Sequence, residues 1–208
     1  MAMSFPVGLA DFFRDVAIDS MTFELPDAVE LLTLGSGEVL TAEHGSRLWR
    51  GSVTLATRRH AVLEDIMARL RVLQRPGASF LVSPRHHERV GAGAATLNTI
   101  RNGRELRLSG LAAGVSVPRG AYLSFTYGSS PTRYALHQLA EAMVADSAGL
   151  TGWGEVVPPL KAGTTTGTAV QLAAPVLKAV LVPKSVRAGQ LRSVLGEGAT
   201  FDWIQTLR

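Results

Sequence analysis

Ala121-Tyr122-Leu123-Ser124-Phe125-Thr126-Tyr127 is the stretch whose reading decides the fold. Ala121, Leu123, Phe125 and Tyr127 share one face, the period-2 pattern of a strand with one buried side. The turn signal Pro118-Arg119-Gly120 precedes it, and Leu106-Arg107-Leu108 alternates in the same way upstream. From Arg104 to Leu160 the chain is a series of short runs punctuated by glycine and proline, ending at Val156-Val157-Pro158-Pro159-Leu160. That pattern reads as antiparallel β structure.

Towards the N-terminus, Leu9, Phe12, Phe13 and Val16 recur at helical spacing behind Pro6, which suits a first helical turn. Met21 to Pro26 alternates as a strand, and Gly35-Ser36-Gly37 marks a turn. Val39–Thr41 and Arg47–Thr57 read as a strand pair around His44-Gly45. One long helix follows, capped by Thr57 and ended by Pro76-Gly77, with Val62, Leu63, Ile66, Leu70 and Leu73 as its apolar stripe. Ser79–Val82 is a strand. Arg133–Met143 admits strand or short helix, and its turn-rich flanks favour a strand. Val170–Leu172, Val176–Val182 and Thr200–Leu207 are late strands. In the last, Phe201, Trp203, Gln205 and Leu207 share a face, so it should return to the first strands and not to the segment 96–160.

Arg85–Ala95 reads as a charged loop with a Gly/Ala tip, and Gly163–Thr168 as a threonine-rich turn. A segment bounded by two such loops is often an insertion. The expected fold is therefore mainly β: a split β-barrel or sandwich with one packed helix, formed by residues 1–90 with 165–208, carrying a small inserted β-barrel at 96–160.

Composition narrows the function. The chain has 208 residues, 46% of them apolar and 18% charged, which is globular and too apolar for disorder. It has no cysteine, so disulfides, thiolate metal sites and a cysteine nucleophile are excluded. Met1–Gly8 shows no basic segment followed by an apolar one, and no apolar run approaches bilayer length, so neither a signal peptide nor a membrane span is expected. The net charge is +4, with 18 arginines against 3 lysines, and twelve of the arginines lie between Arg47 and Arg107. Interleaved Glu64, Asp65, Glu88 and Glu105 argue for solvated or inter-subunit arginines over a nucleic-acid patch.

No motif supplies a catalytic constellation. His86-His87-Glu88 is the most metal-like cluster, yet adjacent residues of an extended chain point apart and helical zinc pairs lie four residues apart. Arg85, His86, His87, Glu88 and Arg89 are instead expected at an inter-subunit interface, as part of a loop that orders on association. Gly91-Ala92-Gly93 lacks both the third small residue of a dinucleotide fingerprint and the lysine of a phosphate loop. Neither Gly35-Ser36-Gly37 nor Gly128-Ser129-Ser130 forms a hydrolase elbow. His44, His60 and His137 all read as structural. Asp146, Glu155 and Asp202 fall where carboxylates usually cap turns, which speaks against a glycosidase pair. Trp49, Trp153 and Trp203 read as packing residues more readily than as a sugar platform. No catalytic, cofactor-binding or metal-binding residue is assigned, and no cofactor is expected.

The order of several pieces resembles a known family. Leu48-Trp49-Arg50-Gly51-Ser52-Val53, the arginine-studded helix and Arg75-Pro76-Gly77-Ala78-Ser79-Phe80 are similar to the front half of phage and prophage tail-tip proteins. Gly110–Gly114, Gly120–Phe125, Tyr134–His137, Asp146–Gly149, Val156–Leu160 and Phe201–Leu207 are similar to their second half. The resemblance implies a distal tail protein of a siphovirus or gene-transfer particle. It implies a homo-oligomeric ring, expected to be a hexamer, between the tail tube protein and the tail hub protein at the virion tail tip, assembled in the host cytoplasm. Side-fibre proteins would attach outside, and genome DNA would pass through the lumen without specific binding. The chain is short for the large carbohydrate-binding C-terminal domain that some relatives carry. Another tube or baseplate component, such as a terminator or hub subunit, is the alternative; a carbohydrate-binding or processing domain is a more distant one.

Overall fold

The computed structural model describes residues 3–13, 16–84, 90 and 93–208. The chain begins with helix α1 (Leu9–Phe13) and strands β1 (Ile18–Met21), β2 (Val29–Thr33), β3 (Val39–Glu43), β4 (Arg50–Leu55) and β5 (Arg58–Arg59). Helix α2 (His60–Leu73) and strands β6 (Phe80–Val82), β7 (Thr96–Arg101), β8 (Glu105–Ser109), β9 (Ser116–Val117), β10 (Tyr122–Tyr127) and β11 (Arg133–Leu139) follow. The last are β12 (Met143–Val144), β13 (Gly154–Val157), β14 (Leu177–Leu181), β15 (Gln190–Arg192), β16 (Leu195–Glu197) and β17 (Thr200–Gln205). The fold is the expected mainly-β barrel or sandwich class, with curled half-barrel sheets and few helices.

Two compact units form: Met1–Asp15 with Pro76–Ala179 and Leu207–Arg208, and Val16–Arg75 with Val180–Thr206. The loops singled out in the sequence, near 84–96 and 161–167, do not coincide with these breaks.

In the first unit, five antiparallel strands run in the order β10-β11-β13-β8-β7. The alternation of the deciding stretch holds: Leu123, Phe125 and Tyr127 are buried. Ser124, on the opposite side, is buried as well, because its backbone exchanges hydrogen bonds of 3.0 and 2.8 Å with Gln171. The same short segment bridges the other edge of the sheet, where Leu97 N donates to Thr168 O at 2.9 Å and Thr96 faces Ala169. Residues 167–171 thus bridge both edge strands and close the barrel at that point. Val170 and Leu172 enter its core beside Leu97, Leu106, Leu108, Leu123, Phe125 and Val156. The closing piece lies outside the expected 96–160, and the expected strand Val170–Leu172 is a bridge only. Arg133–Leu139 is a strand, as its flanks suggest. The N-terminal helix shortens to five residues, and its Phe12 and Phe13 rings lie 5.2 and 6.4 Å from Phe80.

In the second unit, β4 pairs with β1 on one side and β17 on the other, both antiparallel. Phe201, Trp203 and Gln205 are buried while Asp202 is exposed, so the terminal strand returns to the first strands as its alternation predicts. Gly51 sits where β4 meets this layer: a Cβ there would overlap the Thr22 carbonyl and the Trp203 ring, so only glycine fits. Helix α2 buries Leu63, Ile66, Met67, Leu70 and Leu73. Met67 replaces the expected Val62, which is 38% exposed. Thr57 does not cap it; Arg59 occupies the N-cap without a side-chain hydrogen bond.

The largest correction concerns Val39–Thr41. This segment does not pair with Arg47–Thr57. It is part of β3, which pairs with β2 over five residue pairs from Val29↔Glu43 to Thr33↔Val39. Strands β15 and β16, which also went unread in the sequence, add a small sheet with β5. A single local alternation says that a strand exists but not which strand it meets.

Candidate functional site

The expected interface residues Arg85, His86, His87, Glu88 and Arg89, and Gly91-Ala92 of the glycine-rich fragment, lie outside the described residues. The other residues weighed for chemistry are dispersed. His60 is half-exposed and lies 3.4 Å from Glu64 one helical turn on. His137 is buried. Its Nδ1 donates to the Pro158 carbonyl at 2.7 Å, and its ring stacks on Phe125 at 5.4 Å. Since the carbonyl can only accept, Nε2 carries the lone pair, and it has no hydrogen-bond partner. Burial pushes the imidazole down to about 4, against the opposing pull of the Pro158 bond, so it stays neutral and out of reach of a substrate.

Trp49 and Trp203 flank Phe23 at 5.6 and 4.7 Å and are buried, so they form packing and not a platform. Trp153 lies under the Arg101 guanidinium at 4.5 Å, with Arg107 at 5.7 Å. Arg101 is also held by Glu105 at 2.7 Å through two bonds, which holds that carboxyl below its usual range. Of the three carboxylates, Asp146 does cap a turn, accepting from Ala148 and Leu150 N at 2.8 and 3.0 Å. Glu155 and Asp202 sit within strands instead. Among the described residues, no group of three His, Asp or Glu side chains is arranged to hold a metal. No helix is long and apolar enough to cross a membrane. An open cleft of about 790 Å³ is lined by Asp19, Thr54, Arg187 and Glu197 among others.

What the molecule does present is an arm. Strands β2 and β3 form a two-stranded hairpin whose ten residues are all exposed. Cross-strand partners share a face, so Val29, Leu31 and Val39 stand on one side and Leu32, Leu40 and Ala42 on the other. Leu31 is 67% and Leu32 58% exposed. A two-stranded hairpin with apolar groups bare on both faces is marginal in water by itself. Its root is nevertheless fixed. Arg47 donates to the Leu25 and Pro26 carbonyls at 2.8 and 3.1 Å and pairs with Asp27 at 3.0 Å, and His44 N donates to Ala28 O at 2.8 Å. At the tip, Leu34 N donates to Glu38 O across a turn in which Gly37 takes φ +85. The sequence carried one signal of this: consecutive apolar pairs, Leu31-Leu32 and Val39-Leu40, on either side of Gly35-Ser36-Gly37.

No family model matches the chain, and no curated protein matches it.

Proposed function

We propose that this protein is a structural subunit of a siphovirus-type tail tip, a distal tail protein that forms a ring joining the tail tube to the hub. The observation that carries the reading is the rooted hairpin with apolar side chains exposed on both faces. Such a surface is stable when another protein covers it, and it serves no purpose in a self-sufficient monomer. The mainly-β fold and the resemblance of the tail-tip segments support the same reading. So does the dispersal of the titratable side chains, since a ring subunit works by surface complementarity and not by chemistry. The partners would be further copies of the chain, the tube protein and the hub protein, with genome DNA traversing the lumen.

Light scattering on the purified chain, followed by electron microscopy, tests this. Closed rings, or rings formed on adding tube or hub protein, are the expected result. Open tubes would favour a tube component instead. A chain that stays monomeric at high concentration and binds neither neighbour would refute the proposal.

A further inference from the structure

The arm is acidic as well as apolar. Asp27, Glu30, Glu38 and Glu43 lie within 27–43, and no Lys or Arg does. The remaining chain therefore holds 13 of the 17 acids against all 21 bases, a net +8. Asp27 is taken by Arg47, whereas Glu30, Glu38 and Glu43 form no ion pair among the described residues.

A surface of the opposite character lies elsewhere on the same unit. Strand β5 pairs with β16, setting Arg59 opposite Leu195 and Arg58 opposite Gly196. His60 N donates to Val194 O at 3.0 Å, which brings the first turn of α2 against the same place. Val62, Val194 and Leu195 are exposed there, Val194 to 65%. Arg58 and Arg59 are exposed and form no ion pair among the described residues, while Glu64 is engaged with His60 and Glu197 with Arg192 at 3.0 Å. Each copy thus carries an apolar arm with three carboxylates, and an apolar patch with two guanidinium groups, that form no ion pair among the described residues.

We propose that the arm of one copy docks on the Arg58-Arg59-Val62-Val194-Leu195 patch of a second copy. This rests on the assembly reading above and names its interface. Charge complementarity selects the occupant: the acidic arm is repelled by nucleic acid and by anionic lipid, and is attracted to the basic remainder of its own kind. Arm and patch are different surfaces, so the contact is heterologous. Every copy offers one of each, and repetition closes a ring or extends a filament. Arginine suits the patch because its planar fork meets a carboxylate through two bonds.

Two charge-reversed variants of the full chain test it: Glu30→Lys/Glu38→Lys/Glu43→Lys, and Arg58→Glu/Arg59→Glu. All five positions are exposed, so the thermal midpoint of each variant serves as a folding control. In sedimentation velocity, each variant alone should associate at least about tenfold more weakly than the parent chain, because like charges now face each other. Mixed in equal amounts they should associate again, since each then finds its complement. Self-association of the parent that neither reversal weakens would overturn the docking while leaving the assembly reading intact. Weakening by both variants without rescue on mixing would overturn it too. A parent chain monomeric at every concentration, alone and with tube or hub protein, would sink both.

Discussion

His137 makes the barrel of the first unit sensitive to acid. In the unfolded chain its imidazole titrates near its ordinary value of 6.5, while burial holds it down to about 4 in the folded barrel. Between those values the unfolded chain binds more protons than the folded one. The stabilisation is therefore present above the ordinary value and is lost as the pH falls towards the depressed one. The two values give a loss of roughly 2 kcal/mol on going from about pH 7 to about pH 5, and roughly 3 kcal/mol by about pH 4. The cause is geometric: protonating Nε2 would place a charge in a site where that atom has no hydrogen-bond partner, with the Lys161 charge also disfavouring it. Replacing His137 by Asn keeps a donor for the Pro158 carbonyl and removes the titration. Hydrogen exchange of a peptide spanning Arg133–Leu139 reports opening of this barrel. Comparing parent and His137→Asn at each pH cancels the intrinsic exchange chemistry and the carboxylates common to both. Protection of the parent relative to the variant should fall about 30-fold from about pH 7 to about pH 5, the equivalent of that 2 kcal/mol. Parallel pH profiles for the two proteins would refute the reasoning.

Three further outcomes are expected. Gly51→Ala forces a methyl group into the Thr22 carbonyl and the Trp203 ring and should destabilise by about 3 kcal/mol, read as a drop in the urea midpoint; an unchanged midpoint would show that β4 can shift. Leu70→Ala should cost about 2–5 kcal/mol because Leu70 is buried, whereas Val62→Ala should change monomer stability by less than about 1 kcal/mol, and equal losses would put Val62 back in the core. Deleting residues 200–208 removes the strand paired to β4 together with Phe201 and Trp203, so soluble expression should be lost; a soluble truncated chain with native-like thermal unfolding would show that β17 is dispensable.

The sequence by itself determined which side chains go inside wherever the pattern is local. The alternation at 121–127 and 200–207 and the stripe Val62, Leu63, Ile66, Leu70 and Leu73, Val62 excepted, named the buried faces, because side-chain direction repeats every two residues in a strand and every 3.6 in a helix. The turn at Gly35–Gly37 was legible for a similar reason, since the positive φ of Gly37 suits a residue without a Cβ. Tertiary structure alone decided who pairs with whom. Val39–Glu43 joins Val29–Thr33 and not Arg47–Thr57, and residues 167–171 close a barrel whose other strands lie far away in sequence. Pairing energy is spent between distant segments, and one strand's alternation carries no address for its partner. The candidate surface was hidden for the same reason. Leu31-Leu32 went unread and Val39-Leu40 read as part of a strand paired with Arg47–Thr57, and only the three-dimensional arrangement shows that the two segments form a hairpin with every residue exposed. His137 was legible as a packing residue, but its lone nitrogen, and the acid sensitivity that follows, depend on burial that only the closed barrel imposes.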